Sequence, residues 1–334
     1  MQAAGHYPKG TIVSRGRFPR AGPRVDGLCR LHVASHLMID GSWAAFGPGE
    51  TVRLNYYDWG PRMHPKRVVC VHGLTRQGRD FDELAKGLSK VRRITCPDLV
   101  GRGRSGWLTD KSLYNLDTYV AHMSGLLDHL GYEGIDWVGT SLGGLIGMRL
   151  AAERPELIRR LILNDIGPQL ELEGIATISS YVGQDPRFKR LGEVAEYLKT
   201  VHADFGALTD AQWSDMTSHS VLRHPEGGYG LHYDPAIGLP FKSVTKPPPS
   251  TWPVWEQIEC PVLLLRGERS KLLSRATAER MAKTGPRAEV VEIKGVGHAP
   301  ALMSEDQIAL VRDYITAGDE DEAESGEVEA PRRL

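Results

Sequence analysis

The sequence has almost no net charge. Its 334 residues carry 41 Lys and Arg against 42 Asp and Glu, a formal charge of −1. Without a basic excess, a dedicated nucleic-acid binder is disfavoured. Long apolar runs are also lacking, and none approaches the ~18 residues that a membrane-spanning helix needs. Cysteine is scarce: four residues, scattered, give neither a disulfide framework nor a zinc site. Cys70 and Cys96 sit inside apolar runs that read as strands, and Cys260 opens another. They read as buried, reduced thiols, which suits a cytoplasmic protein.

What remains is ordinary globular material, 41% hydrophobic and 25% charged, with enough apolar residues for a core. The length fits one large α/β domain with an insertion, or two smaller domains. Residues 1–48 read as a poorly ordered extension. Lys9, Arg15, Arg17, Arg20, Arg24 and Arg30 stand there against one acid, Asp26, before residue 37, and Met38 is a plausible alternative start. Residues 318–334 form an acidic run with little to bury, expected to be disordered.

Between the tails, short β-branched runs alternate with helical stretches. Strands are expected at Val52–Trp59, Arg67–His72, Val91–Cys96, Ile135–Val138, Ile158–Asn164, Val262–Arg266 and Ala288–Ile293. Helical spacing marks Gly78–Leu88, Leu113–Leu130 with Gly131 as C-cap, Leu142 to about Glu153, and about Ser304 to Ile315. Such alternation implies a mostly parallel sheet with helices on both faces, in a core spanning 49–167 and 252–317. From 168 to 251 the strand pattern vanishes, and helical or irregular sequence reads as a separate, lid-like subdomain.

Chemistry enters at Trp137-Val-Gly139-Thr-Ser141-Leu-Gly143-Gly144, a G-x-S-x-G that follows an expected strand and opens an expected helix. A serine on so sharp a turn has a strained backbone, and side chains two positions away would collide. The turn lifts the hydroxyl out of the sheet as a candidate nucleophile. The positive end of the following helix then faces an incoming oxyanion. His72-Gly73-Leu74 ends a buried strand, so the N–H of Leu74 and that of Leu142 are the candidate oxyanion donors. His72 itself reads better as a brace for the loop than as a proton carrier. Gly297-His298, in a Gly-rich loop after the last strand, offers an imidazole to take the proton of Ser141.

Together His72-Gly73, Asp98-Leu-Val-Gly101-Arg-Gly103-Arg-Ser105, the Ser141 elbow and Gly297-His298 resemble the α/β-hydrolase superfamily, from about residue 50 to 317. Asn164-Asp-Ile-Gly-Pro168 and Tyr233-Asp-Pro-Ala-Ile237 are similar to bacterial esterase-like members. The resemblance implies an α/β-hydrolase fold with a mainly helical lid and a serine hydrolase acting on a small carboxylic ester. It implies no metal or organic cofactor, and a structural role for the Asp98 loop. The same site could also cleave an amide, a thioester or a C–C bond.

One departure concerns the acid. In the proteins resembled, a segment like Leu263-Leu-Leu-Arg-Gly267-Glu-Arg-Ser270 is followed by the catalytic aspartate, and here Lys271 follows. An ammonium cannot accept the imidazole N–H. Three expectations stand side by side: Asp165 is the acid, Glu268 is, or the site is impaired and the fold only binds a ligand. Tyr181, Phe205, Trp213, Tyr229, Tyr233 and Phe241 could line an acyl pocket, although each reads more readily as a packing residue.

Overall fold

The computed structural model describes residues 38–319 apart from Ser243; expectations for residues 1–37 and 320–334 lie outside the described residues. The chain opens with a hairpin of β1 (Ile39–Phe46) and β2 (Thr51–Trp59). It continues through β3 (Arg67–Val71), α1 (Asp82–Leu88), β4 (Arg93–Pro97), α2 (Leu116–Leu130), β5 (Ile135–Thr140), α3 (Leu142–Glu153) and β6 (Ile158–Asn164). An insertion follows, with α4 (Leu172–Ser179), α5 (Leu191–Val201), α6 (Asp210–Ser220) and a small hairpin of β7 (Val221–Arg223) and β8 (Tyr229–Leu231). The core resumes with α7 (Trp252–Trp255), β9 (Val262–Gly267), α8 (Arg275–Met281), β10 (Glu289–Ile293) and α9 (Glu305–Thr316).

Eight strands form one sheet in the order β1-β2-β4-β3-β5-β6-β9-β10. Pairings from β4 through β10 are parallel, and β2 joins β4 antiparallel. The central strands read Arg-Val-Val-Cys-Val and Val-Leu-Leu-Leu-Arg-Gly and are buried almost throughout. Such strands need helices on both faces, and two apolar clusters fill the two sides. Helix α2 starts where the Asn115 side chain accepts the Thr118 N–H and stops at Gly131, φ 62°, as its C-cap glycine leads one to expect.

Two boundaries are corrected. Strand β1 lies inside the stretch 1–48 expected to be poorly ordered; its Trp43 and Ala45 are buried and it pairs with β2 along its whole length. Asp319, placed in the expected disordered tail, bonds Lys66 at 2.7 Å and Arg92 at 2.8 Å. The insertion is mainly helical but does not split from the core: among the described residues the two form one compact unit.

Candidate active site

Ser141 stands between β5 and α3 with φ 51° and ψ −113°, a backbone that L residues rarely adopt. The flanking glycines make the bend possible. A Cβ on Gly139 would lie 2.4 Å from the Gly143 carbonyl oxygen, and one on Gly143 would lie 2.0 Å from that of Val71. No larger residue fits either place.

The sheet register then brings Asp165 alongside. Thr140 of β5 pairs with Asn164 of β6, so the residues that follow, Ser141 and Asp165, leave neighbouring strands at the same carboxyl edge. Asp165 is fully buried, with φ 55°. Its Oδ1 accepts the Gly267 N–H at 2.8 Å, and its Oδ2 accepts the Ser270 hydroxyl at 2.6 Å. The same Oδ2 lies 2.8 Å from His298 Nδ1, and His298 Nε2 lies 2.9 Å from Ser141 Oγ. The candidate nucleophile, base and acid are thus joined in one hydrogen-bonded chain. With Nδ1–H donated to Asp165, Nε2 is the free acceptor that the serine proton requires.

The other candidate acid and Lys271 lie elsewhere. Glu268 accepts the Gly295 N–H at 2.8 Å. Lys271 points outward and pairs with Glu173 of α4 at 3.0 Å, its side chain 54% exposed. Its ammonium does not reach the His298 ring; Ser270, one residue earlier, donates to Asp165 instead. Sequence reasoning did not single out Ser270, which carries no motif of its own.

His72 is a brace. It is buried, with Nδ1 donating to the Gly73 carbonyl at 2.7 Å and Nε2 accepting the Leu99 N–H at 2.9 Å. Burial pushes its pKa down to about 3, so it stays neutral. Asp98 accepts N–H groups from Gly78 and Arg104 at 2.8 Å each and the Tyr57 hydroxyl at 3.1 Å, tying the loop after β4 to its neighbours. Arg102, fully buried, donates to the Leu74 carbonyl at 2.9 Å and fixes that loop from behind. Among the described residues no acceptor meets the N–H of Leu74 or of Leu142, which leaves both donors available.

A recess of about 40 Å³ opens at Ser141 and His298, with Leu74, Thr75 and Arg76 in one wall. Ile178, Tyr181, His202 and Phe205 of the insertion form the other. Of the aromatics named from sequence, Tyr181 and Phe205 reach the recess, while Trp213, Tyr229, Tyr233 and Phe241 pack into or against the core. Arg76 and His202 are further lining residues that carry no sequence signal. Among the described residues no group of three or more His, Cys, Asp or Glu side chains is placed to hold a metal ion. None of the described helices is long and apolar enough to cross a membrane.

Known proteins share this architecture. The chain is 41% identical to the 3-hydroxybutyrate-oligomer hydrolase of Cupriavidus necator over 278 residues, covering 80% of this chain and 94% of that protein. It is 31% identical over 145 residues to 2-hydroxy-6-oxo-2,4-heptadienoate hydrolase of Pseudomonas putida, covering 41% of this chain and 51% of that one. Among solved structures, an alpha/beta hydrolase from Novosphingobium aromaticivorans superposes with a TM-score of 0.74 at 33% identity, covering 82% of this chain and 96% of that one. The alpha/beta hydrolase family model matches residues 68–312, and this protein, a hydrolase, belongs to that family.

Proposed function

We propose that the protein is a serine esterase that cleaves short hydroxy-acid esters through an acyl-enzyme. The observation that carries this reading is the chain Ser141–His298–Asp165, with contacts of 2.9 and 2.8 Å. Ser141 Oγ attacks the ester carbonyl while His298 Nε2 takes its proton. Asp165 holds the ring and stabilises the imidazolium. The N–H groups of Leu74 and Leu142 receive the oxyanion. His298 then protonates the leaving alcohol, and a water molecule, deprotonated by the same imidazole, releases the acyl group.

The substrate class follows from likeness to the 3-hydroxybutyrate-oligomer hydrolase, which matches along most of the chain. The insertion acts as a lid in this reading. A recess of about 40 Å³ is far below the roughly 300–1,000 Å³ of ligand pockets, so Tyr181 and Phe205 must give way when an ester enters. Free thiols at Cys70, Cys96 and Cys260 fit a reducing compartment such as the cytoplasm. A ligand-binding role without catalysis loses its main support, because Lys271 lies outside the hydrogen-bonded chain.

The test is a fluorophosphonate probe together with a panel of short p-nitrophenyl esters, the linear dimer of 3-hydroxybutyrate and a vinylogous 1,5-diketone. Labelling at Ser141 and turnover of the esters, both lost in Ser141→Ala, are expected. A folded protein that takes no label and cleaves no ester would overturn the reading. Turnover of the diketone alone would replace it with C–C bond cleavage.

A further inference from the structure

Beside the reacting groups the recess holds one arginine whose donors are only partly used. The guanidinium of Arg76 is 7% exposed and forks onto Asp80, Nε to Oδ2 at 2.6 Å and Nη2 to Oδ1 at 2.8 Å. That two-point contact fixes the plane of the group. Nη1 is left over. Among the described residues its one hydrogen-bond contact is a long one, 3.4 Å to Nε2 of His202. Burial and the nearby Arg76 charge hold the His202 imidazole well below its ordinary pKa, so it faces Arg76 as a neutral acceptor.

The position of this group is as informative as its bonding. Arg76 lies two residues after the donor Leu74, in the wall of the recess that contains Ser141 and His298. It also lines a second recess of about 30 Å³, which shares Gly73, Thr140 and Ala299 with the first. A recess this small has room for a compact polar group and not for a chain. A buried, oriented guanidinium with spare N–H groups matches a carboxylate in shape and charge. Asp80 absorbs the cost of burying the cation while no ligand is present, without using the Nη1 edge.

We propose that Arg76 is a specificity residue that binds a carboxylate carried by the ester substrate, so that the enzyme prefers short esters ending in a free acid. The proposal rests on the esterase reading and deepens it. Each cleavage of a hydroxy-acid oligomer at its acid end releases an alcohol that bears such a carboxylate. With Arg76 on that group the enzyme works from the acid end, and the reaction that supplies its substrate must be a depolymerisation leaving short chains with free carboxyl termini.

The experiment compares kcat/KM for the linear dimer of 3-hydroxybutyrate with that for its terminal carboxamide, in the full chain and in Arg76→Met and Arg76→Lys. One charge-assisted contact should favour the acid by about tenfold to a hundredfold. Arg76→Met should bring the ratio near one, mainly through KM, and Arg76→Lys should restore part of it. As a check that needs no variant, free 3-hydroxybutyrate should inhibit hydrolysis of p-nitrophenyl butyrate competitively, and far better than 3-hydroxybutyramide does. Equal rates for acid and amide, or equal inhibition by the two products, would overturn the proposal while esterase activity stood. A preference that survives in Arg76→Met would overturn it too. No label at Ser141 and no ester turnover would overturn the esterase reading with it.

Discussion

At the scale of the residue, the site was legible where geometry demands a local pattern. Ser141 announces itself because a bend this sharp excludes any Cβ at Gly139 and Gly143. His298 announces itself by lying in a glycine-bearing loop behind the last strand. The acid was not readable in the same way. Which carboxylate meets the imidazole depends on how β6 and β9 align, and the pairing of Asn164 with Leu265 is a tertiary fact. That register sets Asp165 under Gly267 and Ser270. Arg76 and His202 were invisible for a related reason, since a loop arginine and a helix-end histidine have no spacing that marks them. Replacing Asp165 by Asn puts an amide where the ring needs an acceptor with no competing donor. Turnover of p-nitrophenyl esters should fall by about 10³–10⁴ while the cooperative melt persists. Lys271→Asp should change the rate by less than about threefold, since an exposed ion pair contributes roughly 0–1 kcal/mol. A rise of orders of magnitude in that variant would show that the histidine had lacked its partner.

At the scale of the element, helix α2 holds an anomaly. His122 is buried, and among the described residues neither ring nitrogen has a hydrogen-bond partner. Desolvation pushes its pKa down to about 4. Below the ordinary value of 6.5 the unfolded chain takes up a proton that the folded helix refuses until about pH 4. Stability is therefore intact above pH 6.5 and is lost as the pH falls toward 4, by up to about 3 kcal/mol from this group. His122→Leu fills the space with apolar atoms, so it should raise stability by about 1 kcal/mol at pH 7. It should also lessen, without abolishing, the fall of the melting temperature between pH 6.5 and 4, because the buried His72 and His202 contribute over the same range. Melting curves at a series of pH values check both effects. An unchanged slope would mean that the ring is wetter than its burial indicates.

At the scale of the whole molecule, the alternation of buried strands and amphipathic helices was enough to imply the layered fold, because fully apolar runs such as Val-Leu-Leu-Leu can only be parallel core strands here. Weak edges escaped. Strand β1 buries only Trp43 and Ala45, and its Gly41 and Ser42 give little β signal. The hairpin β7–β8 has three residues a side, too short to show a period. The backbone under the nucleophile, meanwhile, burdens global stability. At φ 51° and ψ −113° a serine spends roughly 1–3 kcal/mol that a glycine would largely spare. Ser141→Gly should therefore melt about 2 °C or more above Ser141→Ala in calorimetry, and a reversed order would deny the strain. Disarming the protein at this atom would toughen it, which makes glycine the better replacement for capturing an intact ester in a crystal.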